Sequence, residues 1–72
     1  MIYNIEVTYY NYFIDSGRHK REINVFGLQN AKDYARICGQ ADNVLSVDVI
    51  NCMMGEVLLS IENKKETWEA EE

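Results

Sequence analysis

Two pairs of apolar-alternating runs, each pair joined by a turn containing glycine, flank a single run with helical spacing. From Tyr3 to Phe13, the series Tyr3, Ile5, Val7 and Tyr9 alternates with Asn4, Glu6, Thr8, Tyr10 and Tyr12. A period of two, rich in aromatic and β-branched residues, predicts a half-buried strand. Asp15-Ser16-Gly17 then provides turn chemistry, and the chain returns from Lys20 to Phe26 with Ile23 and Val25 on one side, Glu22 and Asn24 on the other. After Gly27, the residues Leu28, Ala31, Ala35 and Cys38 fall on one helical face flanked by Tyr34 and Ile37, while Gln29, Lys32, Asp33 and Arg36 face away. The predicted helix spans about Leu28 to Cys38, with Gly39 expected to end it in a left-handed turn.

The second half repeats the arrangement. Val44 to Ile50 places Leu45, Val47 and Val49 opposite Ser46 and Asp48, and residues 51–55 form a turn. Glu56 to Ile61 returns with Val57, Leu59 and Ile61 opposite Leu58 and Ser60. The expected fold is α+β, a single ββαββ domain over residues 1–62, followed by an acidic tail over residues 63–72. A right-handed crossover through the helix favours a four-stranded antiparallel sheet of order 2-1-3-4, with the helix on one face. Its expected core is Tyr3, Ile5, Val7, Ile23, Val25, Leu45, Val47, Val49, Val57, Leu59 and Ile61, capped by Leu28, Ala31, Ala35 and Cys38.

Composition narrows the classes of function. At 72 residues the chain makes one small domain, and its 47% hydrophobic content is too apolar for a disordered segment. No apolar run reaches the length of a membrane span, and the first residues do not read as a signal peptide, so a cytoplasmic protein without membrane contact is expected. The net charge of −5 argues against general affinity for nucleic acid and suits a protein that engages basic surfaces. Cys38 and Cys52 stand at opposite ends of the third strand, some 20 Å apart at about 3.3 Å per residue, which predicts two free thiols. His19 is the only histidine, and neither its spacing nor that of the cysteines forms a metal motif. Asp15, Ser16 and His19 have the residue types of a hydrolase triad, but they crowd one turn and are read as turn residues. No catalytic, cofactor-binding or metal-ligating residue is assigned, and the chain is expected not to be an enzyme.

Three surfaces remain. The sheet face away from the helix is expected to present Glu6, Thr8, Tyr10, Tyr12, Glu22, Asn24, Asp48 and Leu58, with aromatics standing among carboxylates as protein-binding surfaces often do. The cluster Arg18, His19, Lys20 and Arg21 is expected at a hairpin tip, where it either grips a polyanion or protects an edge strand. Val57 and Leu59 give the fourth strand an apolar edge. That edge is expected to pair with a second copy, forming a homodimer, or to be covered by a tail bearing Trp68.

In size, acidity and architecture the whole chain is similar to the compact ββαββ and α+β proteins of bacteria, phages and mobile elements, a group that includes anti-CRISPR proteins; no motif carries the likeness. The expectation is a small acidic interaction module whose partner is another protein. In sharper form it is an inhibitor that occupies a basic, nucleic-acid-binding surface. A nucleic-acid-binding module using the basic tip and a homodimerising structural protein are the alternatives.

Overall fold

The alternation that begins at Tyr3 builds the centre of the molecule. The computed structural model describes residues 1–10 and 17–68, without the side chain of Trp68. Strand β1 (Ile2–Tyr10) pairs antiparallel with β2 (Arg18–Phe26) on one side and β3 (Val44–Asn51) on the other. Helix α1 (Leu28–Gly39) makes the crossover, and β4 (Glu56–Glu62) pairs with β3. Tyr12, Phe13, Asp15 and Ser16, assigned above to a strand end and a turn, lie outside the described residues.

The sheet has five strands where four were expected, in the order β2-β1-β3-β4-β5. Strand β5 (Lys65–Trp68) falls within the segment read as a tail and pairs antiparallel with β4, Trp68 opposite Leu59 and Lys65 opposite Glu62. The hairpin has two loop residues, Asn63 and Lys64, at φ 54° and 64°. Positive φ at both loop positions gives the turn whose twist matches that of the flanking strands. Lysine in place of the usual glycine hid this turn from the sequence pattern. Along Leu59–Glu62 the fourth strand is therefore covered by the chain itself.

Two register shifts change which residues reach the core. Between Thr8 and Tyr9 the β3 register jumps from Ser46 to Val44, leaving Leu45 as the extra residue. Between Val49 and Ile50 the β4 register jumps from Leu59 to Val57, leaving Leu58. An extra residue reverses the alternation beyond it. Val44 and Leu58 consequently pack against the core, while Leu45 and Val57, both expected there, do not belong to it. Tyr3, Ile5, Val7, Ala31, Ala35, Val47, Val49, Leu59 and Ile61 form the buried cluster. Of the other residues expected in the core, Val25 and Cys38 pack at its margin, Ile23 is half-buried outside it, and Leu28, at the helix's first position, is 38% exposed.

The helix approaches the sheet through its smallest residues. Ala31, Ala35 and Gly39, four apart, are its buried positions. Gly39 does not end the helix in a left-handed turn as expected; it belongs to the last turn, and the chain leaves through Gln40 at φ −85°. Its role is space, since a Cβ there would sit 3.0 Å from Ile61 Cγ2. At the other end Gly27, at φ 91°, does need glycine's freedom: its N–H donates to the Met1 carbonyl, while its carbonyl accepts from Ala31.

Two substitutions test this architecture by urea denaturation. Gly39→Val should lose about 1–3 kcal/mol, the usual cost of forcing methyl groups into a filled core, because Ile61 is held from both sides. Lys64→Gly should gain about 0.5–1 kcal/mol by removing left-handed strain from a non-glycine residue; unchanged stability would mean that the β4–β5 turn is not formed in solution.

Candidate protein-interaction face

The face of the sheet away from α1 is set by the even positions of β1. Cross-strand register arranges it in rows: Lys20, Thr8, Ser46, Glu62 and Lys65; then Glu22, Glu6, Asp48, Ser60 and Thr67; then Asn24, Asn4, Ile50 and Val57; and at the end Phe26 beside Ile2. In the second row three carboxylates stand side by side on adjacent strands. Like charges directly opposite destabilise a sheet. Partial compensation comes from Lys20, whose Nζ lies 3.5 Å from Glu6 Oε1, and from Ser60, whose hydroxyl donates to Asp48 Oδ1 at 2.7 Å.

The end of this face changes character. Ile2 and Phe26 are 48% and 70% exposed, and Met53 and Met54, in the turn between β3 and β4 at the same end of the sheet, are 79% and 67% exposed. Ile50 faces Val57 one row inward. The sequence pattern missed this apolar end for two reasons. Val57 and Leu58 are exchanged between faces by the β4 bulge, which brings Val57 opposite Ile50, and a methionine pair within a turn carries no periodic signal. Of the residues expected on the face, Glu6, Thr8, Tyr10, Glu22, Asn24 and Asp48 occupy it, with Tyr10 opposite Arg18. Leu58 does not, because it packs against the core, and Tyr12 lies outside the described residues.

The basic cluster is divided by the pleat. Arg18 and Lys20 share the open face, while His19 and Arg21 lie on the helix side opposite Tyr9 and Val7. His19 is half-buried, its ring 5.7 Å from that of Tyr9, and its Nε2 has no hydrogen-bond partner among the described residues. This position in a strand separates it from the turn to which Asp15 and Ser16 were assigned. Cys38 and Cys52 are both free. Among the described residues no three of His, Cys, Asp and Glu converge as a metal site, and no helix is long and apolar enough to cross a membrane.

The charged pair with the best geometry is structural. Arg36 of α1 holds Glu66 of β5 in a two-pronged contact, Nε to Oε2 at 2.8 Å and Nη2 to Oε1 at 3.2 Å. This hydrogen bonding raises the guanidinium pKa and holds the Glu66 carboxyl below the usual carboxylate range. A carboxylate with a lowered pKa stabilises the fold above its unfolded value, about 4.3, and loses that contribution as pH falls through the lower folded value. The stability difference between wild type and Glu66→Gln should therefore be present at neutral pH and vanish in acid. Urea midpoints measured across this range, with the single Trp68 as fluorophore, check it; a difference independent of pH would show that the pair does not form in solution.

No protein-family model, curated protein or solved structure matches the chain.

Proposed function

We propose that this protein is a non-enzymatic interaction module whose open sheet face docks on a basic protein surface. The observation that carries the reading is the row Glu22, Glu6 and Asp48. Three carboxylates on neighbouring strands raise the energy of the free sheet, and a cationic partner would relieve that repulsion on binding. The apolar end formed by Ile2, Phe26, Met53 and Met54 supplies the desolvated contact area that charge alone does not. A net charge of −5 favours approach to such a partner and sets specificity.

The sharper form of the proposal is inhibition. A basic surface broad enough to accept this face is the kind that holds nucleic acid, and occupying it would block that use. The division of Arg18 and Lys20 from His19 and Arg21, and the contact of Lys20 with Glu6, favour this reading over direct phosphate binding by the basic cluster.

The triple variant Glu6→Gln/Glu22→Gln/Asp48→Asn separates function from folding, because its effects on the two have opposite sign. Stability should be retained or rise by up to about 1 kcal/mol as the cross-strand repulsion is removed. Capture of a protein from nuclease-treated bacterial lysate should be lost, and the wild-type complex should weaken steeply as salt rises. A variant that still captures the same protein, or a complex indifferent to salt, would overturn the proposal; recovery of nucleic acid alone, unaffected by the variant, would instead favour the basic cluster.

A further inference from the structure

On the opposite face of the sheet, α1 lies chiefly over β3 and leaves part of the β1–β2 surface uncovered. The result is a cleft of about 270 Å³ whose lining includes Val7, Ile23 and Val44 together with Tyr9, Tyr34 and Arg21. Its far end is braced by a reciprocal pair of hydrogen bonds: Tyr10 N–H donates to the Asn43 carbonyl, and Asn43 Nδ2 donates to the Tyr10 carbonyl, both at 2.9 Å. Arg21 forms no ion pair among the described residues, unlike Lys20, Arg36 and Lys64. A planar cation beside apolar and aromatic walls is suited to a ligand with one charged end and one greasy end.

We propose that this cleft binds a small monocarboxylic acid with an aromatic or branched aliphatic body. The carboxylate would meet the Arg21 fork, which matches its geometry, and the body would lie among Val7, Ile23, Val44 and the two tyrosines. The volume sits just below the range of about 300–1,000 Å³ typical of drug-sized pockets, so an acid with one ring or one short branched chain fits within it. A single cation without a second Arg or Lys in the lining favours a monoanion over a phosphate. The site is on the other side of the sheet from the carboxylate row and stands whether or not that row binds a partner.

The test is a two-dimensional amide NMR titration of the full chain at constant ionic strength. Sodium phenylacetate and 4-methylpentanoate are compared with phenylacetamide, 4-methylpentanamide and acetate. Both larger acids should give saturable shifts at Val7, Ile23, Tyr34 and Val44, with millimolar affinity, while Ser60 and Thr67 on the other face stay still. Because Arg21 is solvent-exposed, each acid should bind only about threefold to fivefold more tightly than its amide. Arg21→Gln should abolish that preference, and Arg18→Gln should keep it. Absent or unsaturable shifts, equal binding of acid and amide, or a preference that survives in Arg21→Gln would each overturn the proposal. Should Arg21→Gln fail to fold, the acid-against-amide comparison on the native chain decides by itself.

Discussion

The close approach of α1 to the sheet is the constraint on which the other features depend. Ala31, Ala35 and Gly39 leave almost nothing between the helix backbone and the strands, and Ile61 fills the remaining space beneath Gly39. A helix seated this low cannot spread large side chains over a whole sheet face. It covers β3 and its neighbours and leaves the outer part of β1 and β2 with a trough, while at the other margin Arg36 reaches past the sheet's fourth strand to hold β5. Burying a Val, Leu or Ile side chain contributes about 1.5–3 kcal/mol, and Ile5, Val47, Val49 and Leu59 are the largest side chains buried completely between the layers.

The periodicity of the chain was enough to read the α+β class, the crossover helix and the order of the first four strands, because period two and period 3.6 are imposed by burial itself. The departures have particular physical causes. Strand β5 escaped because Asn63-Lys64 makes a left-handed turn without glycine and because Lys65, Glu66 and Thr67 are all exposed, so no apolar alternation marks it. The core assignments of Leu45 and Val57, and the open-face assignment of Leu58, failed at bulges, where one extra residue inverts the faces and leaves composition untouched. Gly39 invites reading as a terminator because glycine often stops helices, and only the tertiary contact with Ile61 distinguishes a stop from a gap.

The candidate face was legible as a set of even-numbered residues but not as a pattern of charge. Alternation places Glu6, Glu22 and Asp48 on one side, yet their alignment in one row depends on the register of two separate strand pairs. The same holds for the basic cluster, whose four consecutive residues look like one patch in the sequence and become two pairs facing opposite ways in a strand.

Strand β1 is an interior strand of the sheet, bonded to β2 nearby in sequence and to β3 from the other half of the chain. The β1–β2 hairpin can close locally, but its apolar side is completed only when the helix and β3 arrive. Closing that long loop costs entropy before burial repays it, so the β1–β3 seam is where the chain's long-range ordering is concentrated. Until β3 pairs with it, the β1 edge and the apolar side of the hairpin are open together, and along Ile2–Tyr10 that strand carries a single charged side chain, Glu6, to discourage pairing with another chain.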